Sequence, residues 1–259
     1  MHETRAGIQS VEVGFSLLDA LARAKGPLML RDLAAAAGMS SAKAHRYLVS
    51  FQRLGLVAQD SRTTRYDLGP AALHLGLASL SRIDAVKLAR ERIGSLMVDI
   101  GHTLALAVWG NHGPTIVHWE ESPQLVRVNL RLGDVMPLLT SATGRCFAAY
   151  TPAEAIAPLL DEELALQATR PHANTPTTHE GVQQMLAEVR AQGMARAIDS
   201  LMPAVAGFCA PVFDADGHMV LGMIALGPMA RFDSRWDCPA AEALRAAARR
   251  LSSDLGHQA

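Results

Sequence analysis

The sequence predicts an α+β protein in which an N-terminal winged helix-turn-helix and a linker helix precede a larger domain of helices packed on a sheet. Helical periodicity dominates the first 70 residues, and most strand-like alternation appears after residue 100. Charge follows the same division. Residues 1–70 hold nine lysines and arginines against six acidic residues, whereas residues 71–259 hold fifteen against nineteen. The formal net charge of −1 therefore hides a basic head on an acidic body.

Two helices open the chain, and a hairpin closes its first part. Apolar residues at helical spacing place the first helix on Ile8–Ala24, and "MLRDLAAAAG" at 29–38 predicts the second. Two strand-like pieces, "GLVAQD" and "RYDLG", flank the polar tip "SRTT" at 61–64. With a third helix between them, the order is helix, helix, turn, helix, β-hairpin.

The third helix, Ser41 to Leu54, has an apolar side and a basic side. Ser40 or Ser41 can cap its first turn, and Gly55 ends it. The two sides hold Ala44, Tyr47, Leu48, Phe51 and Leu54 against Lys43, Arg46, Ser50 and Arg53. An ordinary amphipathic surface helix is one interpretation. Its position between a short turn and a basic hairpin favours instead a recognition helix that enters a DNA major groove while the hairpin meets phosphates.

Later segments predict the linker helix and the second domain. Helices are predicted at 68–82, 84–101, 141–150 and 178–193, and from about Pro239 to Leu255. Strands are predicted on "TLALAVWG", "PTIVHWEE" and "LVRVNLRLG", and at about 205–213 and 219–227 around the turn "DADG". Residues 151–177 contain four prolines and are predicted to be irregular or to form short helices.

Composition excludes several classes of protein. Three widely spaced cysteines give neither a disulfide framework nor a zinc motif, and no HxxxH or HExxH spacing occurs. No metal or cofactor site is therefore predicted. The sequence lacks a signal-peptide pattern and a run long enough to cross a bilayer, so we expect a cytoplasmic protein without membrane contact.

Several ordered motifs resemble the isocitrate lyase regulator (IclR) family of bacterial transcription regulators. They are "SVEVGFSLLDAL", "SSAKAHRYLVSFQRLGLV", "RYDLG", "MPLLTSATGRCFAAY", "THEGVQQMLAEVRAQGMA", "VAGFCAPVFDADGHMV" and "ALGP". The resemblance implies a winged helix at 8–69, a linker helix at 70–83 and a GAF-like effector-binding domain at 84–259. It also implies a homodimer or homotetramer on a pseudo-palindromic operator of double-stranded DNA, because each half-site meets one recognition helix.

The predicted DNA contacts come from the start of the third helix and from the hairpin tip. They are Ser40, Ser41, Lys43, Ala44, His45 and Arg46, with Arg62, Thr63, Thr64 and Arg65. Lys43 or Arg46 would bond guanine, and Ala44 would touch a thymine methyl or belong to the core. The hairpin residues would bind phosphates, which position the protein without specifying a sequence.

The resemblance also implies an effector pocket between the sheet and "TSATGR". Matching positions are Leu125, Met136, Ser141, Ala142, Thr143, Gly144, Cys209 and Leu226. A helix that begins near Ser141 would offer its N-terminal N–H groups to a ligand carboxylate. Core packing is the alternative for Leu125, Met136, Leu226 and Cys209. Trp109 and Trp119, on adjacent predicted strands, would either stack over a ligand or pack in the core.

Two departures from the family pattern bear on the ligand. Leu226 stands where many members have serine, and "DSLMPAVAG" keeps only Asp199 of its acidic residues. A less polar pocket favours a small, partly apolar carboxylate, an aromatic one above a hydrophilic keto acid.

The sequence thus predicts a ligand-responsive transcription regulator, a repressor rather than an activator, and not an enzyme. Two alternatives are a GAF-like enzyme and a sensor that acts through protein partners. The first lacks a visible catalytic constellation or phosphate loop, and the second leaves the basic hairpin unexplained.

Overall fold

The structure is a computed structural model that describes residues 7–80, 84–122 and 130–258. The chain divides into two compact units, Met1–Arg82 and Ile83–Ala259. Within the described residues, the first unit is mainly helical and the second is a sheet covered by helices on both faces. The predicted α+β fold class is confirmed.

The first unit has the predicted order of elements. Its helices are α1 (Gln9–Arg23), α2 (Leu30–Ala36) and α3 (Ser41–Arg53), and its hairpin strands are β1 (Val57–Gln59) and β2 (Tyr66–Leu68). Helix α4 (Pro70–Leu80) follows, where the linker helix was predicted. An isolated bridge from Leu28 to Tyr66 ties the hairpin to the segment before α2.

The second unit begins with α5 (Ala85–Ile100), which Asp84 caps by accepting the N–H groups of Val86 and Lys87. The other helices and strands are β3 (Thr103–Gly110), β4 (Gly113–Glu120), α6 (Ala142–Tyr150), α7 (Ala153–Thr169), α8 (His179–Gln192), β5 (Ala195–Ile198), β6 (Val205–Phe213), β7 (Met219–Pro228) and α9 (Pro239–Asp254). The strand predicted on "LVRVNLRLG" covers residues 125–133. Residues 125–129 lie outside the described residues, and residues 130–133 contain a turn and no strand.

The strands form an antiparallel sheet in the order β4-β3-β7-β6-β5. Because side chains alternate along a strand, the sheet contributes to two cores. Ala105, Cys209 and Ile224 pack on the side of α6, α7 and α8. Leu104, Phe208 and Met223 pack on the side of α5 and α9.

One segment differs from its prediction. Residues 153–169 form a single helix of 17 residues, although Pro158 lies inside it. Ile156, Leu160 and Leu164 are buried at four-residue spacing. The packing of this apolar stripe outweighs the backbone hydrogen bond that Pro158 removes.

Candidate nucleic-acid interface and effector cavity

The first turn of α3 is built to leave its polar side chains outside. Ser40 is the N-cap, and its hydroxyl accepts the N–H of Lys43 at 3.4 Å. Ala44 and Leu48 anchor the opposite side in the core of the first unit. The remaining predicted contacts on this helix are all exposed: Ser40, Ser41, Lys43, His45 and Arg46.

Ala44 is a correction. Its exposed fraction is 0%, and it packs in a cluster with Leu17, Leu33 and Leu48. A methyl group enclosed in this way cannot reach a base edge. The structure places Ala44 in the core, which was the alternative to a thymine contact.

A groove of about 450 Å³ follows the basic side of α3. It is lined by Ser10, Lys43, Arg46, Tyr47 and Ser50. Sequence reasoning did not include Ser10, which lies at the start of α1, because no local pattern relates it to α3. The groove combines two cations with three hydroxyl groups, the donors that phosphates and base edges accept.

The hairpin tip is a pre-ordered turn. Asp60 accepts the backbone N–H groups of Arg62 and Thr63 and the hydroxyl of Thr63 at 2.7 to 3.0 Å. These hydrogen bonds lower the pKa of the Asp60 carboxyl. Thr64 has a left-handed backbone, with φ of 58°, and its hydroxyl donates to the carbonyl of Thr63. Both threonine hydroxyls are therefore already committed within the turn.

The two arginines of the tip differ. The guanidinium of Arg65 donates to the carbonyl of Pro27 at 3.1 Å and so ties the hairpin to the body of the unit. Arg62 is exposed, and its side chain makes no hydrogen bond or ion pair with the described residues. Arg62 is therefore the better placed of the two to meet a phosphate.

Charge on this surface is uncompensated. Within residues 7–80 one ion pair occurs, between Arg23 and Asp19 on α1. Lys43, Arg46 and Arg62 are exposed without an acidic partner among the residues described there. Unpaired, exposed cations on α3 and at the hairpin tip supply the charge that phosphate binding needs.

The second unit holds a small apolar cavity between the sheet and the start of α6. Its volume is about 50 Å³, and its walls include the predicted residues Met136, Ala142 and Leu226. Ser200 also lines it and donates its hydroxyl to the carbonyl of Thr140. Met136 and Leu226 are buried, in agreement with core packing as well as with a pocket wall. Leu125 lies outside the described residues.

Four other predicted pocket residues do not line this cavity, and for their side chains the expectation is corrected. The hydroxyl of Ser141 caps α6 by accepting the N–H of Gly144 at 2.8 Å, and it donates to the carbonyl of Pro137 at 2.7 Å. Thr143 and Gly144 are buried, and a Cβ at Gly144 would overlap the carbonyl oxygen of Pro137. Ser141, Thr143 and Gly144 therefore belong to the close packing at the start of α6 and do not line the cavity.

Cys209 is also in the core rather than on the cavity wall. Its exposed fraction is 0%, and it packs on β6 beside Cys146 of α6. Burial raises the pKa of the Cys209 thiol, so the group stays neutral and behaves as a small apolar side chain.

A buried arginine, Arg145, connects three backbone segments near this cavity by hydrogen bonds. The guanidinium of Arg145 donates to the carbonyl oxygens of Leu139, Arg196 and Asn174, each at 2.8 Å. Desolvation lowers its pKa to about 10, so it remains charged at neutral pH. No carboxylate forms an ion pair with Arg145 among the described residues. Its positive charge adds to the positive end of α6.

A larger cavity adjoins the small one. Its volume is about 340 Å³, and Met136 and Leu201 line both. Glu163 in its wall accepts the N–H groups of Leu138 and Leu139 at 2.6 and 2.8 Å. Burial is the main cause that raises the pKa of the Glu163 carboxyl.

Trp109 and Trp119 are partly buried against the core on the α6 side of the sheet. The ring centroids of Trp109 and Phe147 are 6.0 Å apart. Neither tryptophan lines the small cavity.

In the described part of the chain, one group has metal-ligand spacing: Asp214, Asp216 and His218, at the turn between β6 and β7. The carboxylate of Asp214 accepts the N–H groups of Asp216 and His218, so it already has a role in the turn.

Comparison with protein families decides the identity of both units. Residues 10–61 match the IclR helix-turn-helix domain, and residues 77–253 match the bacterial transcriptional regulator IclR C-terminal domain. The chain belongs to the IclR family. This IclR-family chain is therefore a DNA-binding transcriptional regulator, and its C-terminal unit is the family's effector domain.

Individual relatives span nearly the whole chain. The glycerol operon regulatory protein of Streptomyces coelicolor is 30% identical over 254 residues, which cover 96% of this chain and 97% of that protein. The crystal structure of Pseudomonas aeruginosa HmgR is 37% identical, with a TM-score of 0.89 over 97% of this chain and 99% of that one.

A third match comes from a more distant protein. An IclR homologue of Microbacterium hydrocarbonoxydans, solved with 4-hydroxybenzoate, is 19% identical, with a TM-score of 0.57 over 95% of this chain and 98% of that one. At that identity the match supports the fold. No helix in the described part of the IclR-family chain has both the length and the apolar composition that a bilayer crossing requires.

Proposed function

We propose that this regulator is a repressor that binds a pseudo-palindromic operator through α3 and the hairpin tip, under the control of a small carboxylate. The observation that carries the proposal is the exposed basic side of α3, where Lys43 and Arg46 form no ion pair with the described residues; Arg62 at the hairpin tip is also exposed and unpaired. In this proposal residues 8–69 bind DNA, residues 70–83 form the linker helix and residues 84–259 bind the effector. A repressor that occupies a promoter acts in the cytoplasm and needs no catalysis, metal or cofactor.

The proposed DNA contacts divide by role. Lys43 and Arg46, with Ser41 and His45, face the major groove, where a guanidinium can bond both acceptors of a guanine. Arg62 binds phosphate and positions the helix. Arg65, Thr63 and Thr64 act mainly by shaping the hairpin, because their donors already bond within the unit.

A symmetric operator requires more than one copy of the chain. Ile8, Val11 and Phe15 form an apolar stripe on α1 with exposed fractions of 69%, 64% and 63%. An exposed apolar stripe of this kind favours contact with a second copy. We propose a homodimer, or a homotetramer made of two dimers, on each operator.

The proposed effector site is the small cavity at the start of α6. The N–H group of Ala142, which lines the cavity, belongs to the first turn and has no partner within the helix, so it can bind a carboxylate. The charge of Arg145 favours an anion there, and Met136 and Leu226 provide apolar walls. The 4-hydroxybenzoate found in the Microbacterium homologue supports an aromatic carboxylate. A volume of about 50 Å³ means that binding must enlarge the cavity.

The experiment is a fluorescence-anisotropy titration of the full chain on labelled duplexes from upstream of its own gene and of the neighbouring genes. We expect one duplex to bind with a Kd of roughly 10⁻⁸ M or tighter, well below that of scrambled DNA. We expect 4-hydroxybenzoate to weaken that binding, because an effector that prefers one conformation shifts the population toward it.

Two outcomes would count against the proposal. Equal affinity for every duplex at about 100 mM salt would remove sequence-specific binding. Specific binding that is insensitive to 4-hydroxybenzoate, benzoate and aliphatic carboxylates alike would leave the regulator but remove its carboxylate control.

A further inference from the structure

Another cavity lies at the edge of the sheet, beside the end of α6 rather than its first turn. Strand β5 pairs only with Ala206–Cys209, so the last four residues of β6 have no strand beside them on that side among the described residues. A cavity of about 310 Å³ opens there. It is enclosed by the end of α6, the turn after α8 and the last turns of α9.

The backbone N–H donors at this edge of β6 are absent or already bonded. Pro211 has no N–H, and the N–H of Phe213 donates to the hydroxyl of Ser252 at 3.0 Å. That hydroxyl in turn donates to the carbonyl of Ala248 at 2.9 Å. With these donors absent or occupied, the edge does not suit an added peptide strand. What remains is a space shaped by side chains.

Aromatic rings form one wall of this space. The centroid of the Phe213 ring lies 5.1 Å from that of Tyr150, whose ring is nearly perpendicular to it. It lies 5.1 Å from the centroid of the His257 imidazole. These distances are typical of favourable ring contacts, and three adjacent rings offer faces and edges to a planar guest.

Cations form the other wall. Arg245 and Arg249 line the cavity, no lining residue is acidic, and neither arginine forms an ion pair with the described residues. The guanidinium of Arg245 donates to the carbonyl of Trp236 at 2.6 Å, but its Nε is buried without a hydrogen-bond partner there. Arg249 is exposed and free to turn toward a ligand.

Tyr150 adds a neutral hydrogen-bond donor to the two arginines of this cavity. Burial is the main cause that raises the pKa of Tyr150 to about 12, so its hydroxyl keeps its proton at neutral pH. No described residue bonds to that hydroxyl. Anion-binding groups and aromatic surfaces thus meet in one cavity that is large enough for a ring with a carboxylate.

We propose that this cavity is a second ligand site, which binds a small aromatic carboxylate with its ring against Phe213 and its charge on Arg249 and Arg245. The site is separate from the proposed effector cavity, with which it shares no lining residue. It can therefore exist whether or not the chain binds its proposed operator or a ligand beside α6.

The experiment is isothermal titration calorimetry of the full chain with sodium benzoate, in the absence of DNA. We expect benzoate to bind, and benzyl alcohol, which keeps the ring without the charge, to bind at least about tenfold more weakly. Arg249→Gln should raise the benzoate Kd about tenfold, because charge-assisted hydrogen bonds carry much of the affinity.

Arg250→Gln is the matched control, since Arg250 is the next exposed arginine on α9 and does not line this cavity. It should leave the benzoate Kd within about twofold of the unmodified chain. Ser253→Trp places a bulky ring at an exposed position of the cavity wall and should abolish this binding event while the melting temperature stays unchanged.

Loss of affinity in Arg249→Gln and Ser253→Trp, but not in Arg250→Gln, supports the second site. Absence of benzoate binding, or an equal response of the two arginine variants, overturns it. A lower mass of Ser253→Trp in size-exclusion chromatography, with benzoate binding unaffected, would identify the surface as a contact between copies and also overturn the proposal.

Discussion

Helices α3 and α6 begin with the same device in different surroundings. In each, a serine hydroxyl accepts the N–H group three residues later: Ser40 that of Lys43 at 3.4 Å, and Ser141 that of Gly144 at 2.8 Å. The first turn of α3 is exposed apart from Ala44, whereas residues 142–149 of α6 are all buried. A cap therefore starts a helix, but packing decides whether its first turn is exposed to solvent or enclosed in the protein.

The largest expected effect concerns Arg145, whose hydrogen bonds stabilise the buried start of α6. Arg145→Met would leave three carbonyl oxygens without a donor, and we expect it to lower the free energy of unfolding by about 3 kcal/mol or more. All three tryptophans lie in this unit, so their fluorescence during urea unfolding reports on it alone.

Arg190→Met is the control for Arg145. Arg190 is exposed and donates its Nε to one carbonyl, that of Ala149. We expect a cost below about 1 kcal/mol. Similar costs for the two variants would mean that the carbonyl bonds of Arg145 do not stabilise the start of α6.

The next effect compares the two caps directly. Ser141→Ala removes two buried hydrogen bonds and should cost about 2 kcal/mol, whereas Ser40→Ala removes one long exposed bond and should cost about 0.5 kcal/mol. Hydrogen–deuterium exchange of peptides from α3 and α6 would measure each loss locally. Equal losses would show that burial does not distinguish the caps.

The last comparison concerns DNA binding by the exposed helix. Arg46→Ala should cost about 1–3 kcal/mol at one base position of the operator and relax the sequence preference there. Arg62→Ala should weaken all sequences alike and reduce the salt slope by about one. Anisotropy titrations against single-base operator variants at several salt concentrations would separate the two roles. A uniform loss in both variants would remove the base contact from Arg46.

Much of the fold was predictable because its signals are local. The cap at Thr178 and the stop at Gly193 define α8, and Gly193 takes the left-handed backbone that glycine favours. Strands β6 and β7 lie where alternation and the turn "DADG" predicted them. The side of α3 that packs in the core also follows its periodicity, with Ala44 and Leu48 buried.

What the sequence did not reveal depends on contacts between distant segments. Strand β5 has four residues, too few to show alternation, and exists because it pairs with β6. In the sequence, Arg145 resembles an ordinary cation on a helix surface. In the fold it donates to three carbonyl oxygens that come from separate segments. Gly144 and Cys209 matched a family pocket by position, but their side of the backbone is taken up by close packing.

The closure of β6 also affects how the protein behaves at high concentration. A half-covered strand normally offers a template on which another chain can add its own strand and begin to aggregate. Pro211 provides no donor and Ser252 occupies that of Phe213, so the open half of β6 is a poor template. This half of β6 is therefore an unfavourable place for a strand of another molecule to extend the sheet.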